Sequence, residues 1–438
     1  MLSENIHRAL KSLHLNNFKS YREALLPIAP FTVLIGANAS GKSNAIEALH
    51  FLHGMATGRY FDDIYKDLQD AGILRGRRNE LVWEKGDHFT LAITVDDPPD
   101  QLTWQIGLLV QPELVVEEER LTFAGEAIST FETEQKEGAP PHTVMVRYNN
   151  FARGGKKPAI WADDRQPIFA QLNTPAAFTT KKAQQVIPKR VELLRSVLSN
   201  IHFLEPRPAR MRDYAPIDSG DQLSPDGKNV SAVLYNICEE QDQKHQVLEF
   251  IRSLPEGEIT AIDFIETSRN DVMLQITEQF GARKQTWDAA MLSDGTLRVL
   301  AVAAALLSAP EGSLIVIEEI DNGVHPSRAD MLIKRMMDVV QARSLRVLLT
   351  THNPALLDAL PVALYQDVVY CYRDRKDGDS RLIRLAELPD YPALMMQGAL
   401  GALLARRLLE KAVQHPHDVE LRRKQGLAWL KAWQMGKV

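Results

Sequence analysis

The segment 36–43, GANASGKS, constrains this chain more than any other. It matches GxxxxGK[ST] in full and stands between an apolar run at 31–35 and a helical pattern, in which Ala45, Ile46, Leu49 and Leu52 recur at spacings of three and four. A strand, a glycine-rich turn and a helix form the context in which this motif acts. Glycines let the backbone fold around phosphate oxygens, the amides from Asn38 to Ser43 are expected to point inward, and the helix N-terminus adds partial positive charge. The pattern predicts an α/β domain that holds a nucleoside triphosphate through Gly36, Asn38, Ala39, Ser40, Gly41, Lys42, Ser43 and Asn44. Lys42 is expected to reach the β- and γ-phosphates, and the Ser43 hydroxyl to ligate Mg²⁺.

Three further segments carry chemistry. The apolar run at 314–317, LIVI, ends in Glu318 and Glu319. Adjacent carboxylates at the end of a buried strand are costly unless a cation or substrate meets them. Glu318 is therefore expected to serve Mg²⁺ through water, and Glu319 to polarise an attacking water. Leu292-Ser293-Asp294-Gly295-Thr296 precedes a long apolar helix expected at about 296–308, with Ser293 as a good N-cap and Gly295 in its first turn. Thr350-Thr351-His352-Asn353 follows another apolar strand, expected at 346–350.

This order of motifs resembles the ABC-type ATPase head of SMC, RecF and OLD-family proteins. Asn17-Phe18-Lys19-Ser20-Tyr21 resembles the NFKS opening of such heads, at the adenine end of the nucleotide. Asp226-Gly227-Lys228-Asn229-Val230 and Asp321-Asn322-Gly323-Val324-His325-Pro326 resemble the AAA ATPases common in bacterial defence loci, which are close to OLD heads but have no long arms. The likeness covers roughly residues 10–55 and 225–372. It implies that Lys19 and Ser20 belong to the nucleotide site and that Glu319 is the catalytic glutamate, with His352 as the switch histidine. Ser293, Asp294 and Gly295 would form a signature that contacts the γ-phosphate held by a second copy. Three positions depart from the family pattern: Glu318 replaces the usual aspartate, Asp294 the usual glycine, and His325 the D-loop aspartate. The implied fold is an ABC-type P-loop NTPase head with a mixed sheet and helical cover, plus a compact inserted region.

Thirteen of the twenty-three prolines fall between residues 98 and 225. Proline costs a helix interior about 3 kcal/mol, so this region is expected to be an insertion of short elements without a coiled-coil arm. The expected division is 1–97 for the N-terminal part of the head, 98–225 for the insertion, 226–385 for the C-terminal part and 386–438 for a helical tail. The tail carries Trp429 and Trp433 one turn apart. Asp377-Gly378-Asp379 reads as a hairpin turn in preference to a nuclease site.

The net charge of −6 argues against a general polyanion binder. Local basic stretches exist: residues 181–212 hold eight Lys/Arg against two Glu, read equally well as a solvated face or a nucleic-acid contact. Two cysteines without CxxC spacing and no basic-then-apolar leader point to a reduced, cytoplasmic setting, and no segment reads as a membrane span. Transporter ATPase domains are excluded by the 248 residues between Ser43 and Leu292. The expected function is a Mg²⁺-dependent ATPase that dimerises around ATP and works with a separate effector protein in bacterial anti-phage defence. A RecF-like DNA-binding ATPase is the alternative, and the paired glutamates argue against a scaffold without turnover.

Overall fold

The computed structural model describes residues 8–84, 86–97, 100–239, 241–252, 258–318, 326–388 and 391–414. Its centre is a six-stranded sheet in the order Ile201–Leu204, Leu314–Ile317, Arg346–Thr351, Phe31–Ile35, Val368–Arg373 and Ser380–Arg384. All neighbours are parallel except the last pair. Every residue of Phe31–Ile35 and Leu314–Ile317 is buried. Such continuous apolar runs are what a parallel sheet covered on both faces requires.

The two faces of this sheet bury against different layers. Leu34, Val316 and Leu348 pack with the helix Lys42–Met55 and, beyond it, an eight-stranded antiparallel sheet. Val33, Ile35, Ile315, Ile317, Val347 and Leu349 pack with the helices Val230–Cys238, Asp294–Ser308 and Pro326–Ala342 and with a smaller antiparallel sheet formed by Ala215–Pro216, Glu258–Glu266, Asp271–Phe280 and Arg283–Asp288. The helix Lys42–Met55 is sandwiched between two sheets, so Ala45, Ala48, Leu49, Phe51 and Leu52 are all buried. Among the described residues no helix is long and apolar enough to cross a membrane.

The antiparallel sheet runs Tyr21–Pro27, Ala9–Phe18, His88–Asp97, Asp100–Leu109, Val115–Phe123, Phe131–Glu134, Thr143–Tyr148 and Ala159–Asp163. The boundary expected between residues 97 and 98 therefore falls within one hairpin, where Phe89 faces Leu108 and Val95 faces Leu102. Residues 100–163 continue the N-terminal sheet. The helix Lys181–Ser199 then returns the chain to Ile201–Leu204, which pairs with Leu314–Ile317 in the central sheet. This nineteen-residue helix carries Pro188 inside it, and seven buried side chains along it outweigh the lost hydrogen bond. At the other end, Leu400, Leu403 and Leu409 join the core, and Gly401 donates its N–H to Asp358 at 2.6 Å. Trp429 and Trp433 lie outside the described residues. Asp377–Asp379 form the tip of the hairpin Val368–Arg373/Ser380–Arg384, closed by Asp374 N–H to Asp379 O at 2.9 Å.

Candidate nucleotide-binding site

The C-terminal ends of three parallel strands converge, as the crevice rule for open α/β sheets requires. After Ile35 the chain turns at Gly36 with φ of 154°, passes Ala39 at 62°, and enters the helix Lys42–Met55 through Gly41 at 120°. No side chain caps that helix, so its first N–H groups are left for another acceptor. Lys42 Nζ folds over the loop and donates to Gly36 O at 2.7 Å and Ala37 O at 3.1 Å. The loop forms one wall of a cleft of about 540 Å³, lined from 38 to 44 by Asn38, Ala39, Ser40, Gly41, Lys42, Ser43 and Asn44. Glu318, Thr351 and His352 reach the same cleft from the neighbouring strand ends. Glu319 and His325 lie outside the described residues.

A buried polar layer holds the loop from below. Tyr21 Oη donates to Gly41 O at 3.0 Å, and Cys371 Sγ donates to Ser40 O at 3.3 Å. Burial pushes the Tyr21 phenol well above its ordinary pKa and raises the Cys371 thiol, so both remain neutral donors. Asn44 Nδ2 donates to Ser20 Oγ at 2.6 Å, and Ser380 binds Ser20 through its N–H and its hydroxyl, each at 2.7 Å. Ser20 thus braces the first helical turn and does not line the cleft. Lys19 behaves likewise. Its ammonium pairs with Glu47 in a nearly buried ion pair and donates to Arg75 O at 2.7 Å.

The residues Ser293, Asp294 and Gly295 do not line the cleft of their own chain. Ser293 caps the helix Asp294–Ser308, accepting from Thr296 N–H at 3.1 Å. The Asp294 carboxylate accepts from Arg212 Nη2 at 2.7 Å, and the same nitrogen donates to Leu292 O at 3.0 Å. Glu47, Arg75 and Arg373 line the cleft although no motif marked them. Glu47 stands in the helix that follows the loop and Arg373 at a strand end, whereas nothing in the sequence around Arg75 marks it.

Residues 9–119 match a family model described as an AAA ATPase domain, and residues 180–358 one described as "AAA domain, putative AbiEii toxin, Type IV TA system". An ATP/GTP phosphatase of Helicobacter pylori is 21% identical over 365 residues, covering 80% of this chain and 87% of that protein. The chain is an ATPase of the SMC/RecF-like type. This ATPase is 36% identical over 87 residues to the DNA replication and repair protein RecF of Thermosynechococcus vestitus, a match spanning 20% of the chain and 22% of RecF. It is 45% identical over 91 residues to the structural maintenance of chromosomes protein 1 of Arabidopsis thaliana, which spans 19% of the chain but 8% of that protein. A solved SMC head, bound to the C-winged helix domain of ScpA, shares the fold with a TM-score of 0.50 at 14% identity, covering 86% of this ATPase and 97% of that chain.

Proposed function

We propose that this ATPase is a dimerising switch, closed by ATP and released by hydrolysis, and that it forms the ATPase subunit of a bacterial anti-phage defence complex with a separate effector, a nuclease or other toxin. The observation that carries the switch is the division of the site. Lys42, Ser43, Glu318 and His352 share one cleft, whereas Ser293–Gly295 stand outside it and present a capped helix start. A second copy would bring its Ser293 and Gly295 to the γ-phosphate, with Asp294 turned aside by Arg212. The description of the model over residues 180–358, a putative toxin of a type IV system, supports a setting in which toxicity is controlled. A cytoplasmic location belongs to the same proposal, supported by two free thiols, one of them buried.

The loop fits a triphosphate: its two left-handed glycines, the uncapped helix start and the buried, unpartnered Ser40 hydroxyl all offer donors to anionic oxygen. Mg²⁺ would be held by Ser43 and by Glu318. Mg²⁺ ordinarily takes one or two protein oxygens and completes its shell with water and substrate phosphates, which a hydroxyl and one carboxylate can supply. When bound, it supplies positive charge against the charge that develops on the phosphoryl oxygens. Lys42 would neutralise β- and γ-phosphate charge, Glu319 would orient the attacking water, and His352 would sense the γ-phosphate from the adjoining strand end. Lys42→Ala should abolish ATP binding measured by calorimetry, since each charge-assisted contact contributes about 1.5–3 kcal/mol. Unchanged affinity would remove the basis of this reading.

A RecF-like DNA-binding role is the second reading. Lys181, Lys182 and Lys189 are exposed on the helix Lys181–Ser199, and the RecF match supports it. ATP-dependent retention on duplex DNA that falls steeply with salt would favour it.

A further inference from the structure

The signature of this chain contains an acid. A carboxylate at the start of the helix Asp294–Ser308 is favoured by the helix N-terminus within its own chain. It is unfavourable where a second copy's γ-phosphate is to dock, because like charges repel in a closing, water-poor interface. The fold answers this with a residue 82 positions away in the sequence. Arg212 follows the short helix Pro208–Met211, which the 224–229 turn anchors: Arg207 N–H donates to Asp226 O at 3.0 Å, and Arg210 pairs with Asp226 at 3.3 Å. From there Nη2 of Arg212 reaches both Leu292 O and the Asp294 carboxylate, so one cation holds the backbone entering the signature and cancels its charge.

The rest of this guanidinium stays available. Nε and Nη1 make no hydrogen bond among the described residues, and the side chain is 30% exposed beside an Asp294 that is 57% exposed. Two exposed apolar side chains stand close by in the sequence, Met291 at 66% and Tyr214 at 44% exposure. An exposed tyrosine and methionine close in sequence to a partly exposed arginine are residue types that interfaces favour.

We propose that Arg212 is a phosphate-contacting residue supplied in trans: its free donors bind the γ-phosphate held by the P-loop of a second copy while Nη2 keeps Asp294 neutralised. The proposal rests on the composite site described above. Arginine suits both tasks at once, because its planar fork presents several donors in fixed directions, whereas a lysine ammonium offers one point charge. ATP, and not ADP, would therefore draw Arg212 into the dimer.

Mixing separates trans action from action on the chain's own nucleotide. Arg212→Ala and Lys42→Ala proteins should each lack ATPase activity. Their mixed dimer keeps one site with an intact Lys42 from one copy and an intact Arg212 from the other, so activity should return toward half per dimer. Absence of recovery would overturn the proposal, provided that Ser293→Arg mixed with Lys42→Ala does recover. If that control pair also fails to recover and no ATP-dependent dimer is seen by light scattering, the composite site itself is refuted. A second comparison separates phosphate contact from mere charge cancellation. In an Asp294→Gly background, Arg212→Ala should still lower turnover on the order of 10-fold or more, as loss of a trans arginine does. Equal turnover with and without Arg212 in that background would leave it only the task of neutralising Asp294, and the proposal would fall. Arg212→Lys should recover dimerisation more than turnover, and full recovery of both would count against a bidentate contact.

Discussion

Gly36→Ala tests whether the phosphate loop is shaped by its packing or merely permitted by it. Gly36 sits at φ of 154°, a region that side chains with a Cβ avoid at a cost of about 1–2 kcal/mol. An added Cβ would lie 2.2 Å from the Cys371 carbonyl oxygen and 2.9 Å from Ser40 Oγ. The first neighbour is backbone of the strand Val368–Arg373, pinned beside Phe31–Ile35 through the Tyr370–Ile35 pair. It cannot swing away as a side chain could, so the loop must move. Overpacking of this kind costs about 1–3 kcal/mol, which brings the expected destabilisation to about 2–5 kcal/mol. The displaced loop would also pull Ser40 O from the Cys371 thiol and shift Lys42 over its carbonyl partners. Thermal melts with and without ATP read both effects. Wild-type protein at 100 times its Kd gains about 2.7 kcal/mol from ligand, whereas Gly36→Ala should melt lower and gain little. A variant that melts at the wild-type temperature with an undiminished ATP shift would refute the packing argument.

Two further outcomes are expected. Glu319→Gln should bind Mg-ATP normally but slow single-turnover hydrolysis by about 10²–10⁴-fold, and if Glu318→Gln slows chemistry while Glu319→Gln does not, the assignment of the two carboxylates must be exchanged. His50, on the phosphate-loop helix, stacks on Phe203 with ring centroids 3.4 Å apart, and burial, helped by His53, lowers its pKa to about 3. A lowered folded-state value means stability that is present above the unfolded pKa of about 6.5 and lost as pH falls from there toward 3. At pH 5 the loss is about 2 kcal/mol, and half-buried His202 acts in the same direction. His50→Phe should therefore flatten the fall in urea midpoint between pH 7 and pH 5, and an equally steep fall would show that His50 is not its source.

Three strands of the central sheet, Phe31–Ile35, Leu314–Ile317 and Arg346–Thr351, were legible because each is an apolar run followed by motif residues at the end where the site forms. The antiparallel sheet beyond Leu109 was not, and the prolines explain why. Pro112 stands between Asp100–Leu109 and Val115–Phe123, Pro140 and Pro141 before Thr143–Tyr148, Pro158 before Ala159–Asp163, and Pro167 beyond it. They punctuate a meander without entering its ladders, which is where proline is tolerated in sheets. A count of prolines cannot distinguish that placement from an irregular insertion. Pro188 shows the converse: it stands inside a helix because packing of Ile187, Val191 and Leu194 fixes the helix around it.

At the site, motif and position separate. The residues from Asn38 to Asn44 and Glu318, Thr351 and His352 meet because strand order brings strand ends together, and their motifs announce the meeting. Lys19 and Ser20 carried an equally recognisable motif, but it marks a place in the fold more than a contact. Lys19 spends its charge on Glu47, whose burial on the phosphate-loop helix would be untenable without a cation. Ser20 spends its hydrogen bonds on Asn44 and Ser380. Arg212 is the reverse case. It belongs to no motif, yet Asp294, in the segment we propose as the signature, where glycine is usual, already poses the electrostatic problem that some cation must solve. An unusual charge at a known position is thus readable from sequence, whereas its partner depends on a tertiary contact spanning 82 residues. Asp294 was therefore the more informative position: a departure in charge marks where a compensating residue has to be sought in the fold.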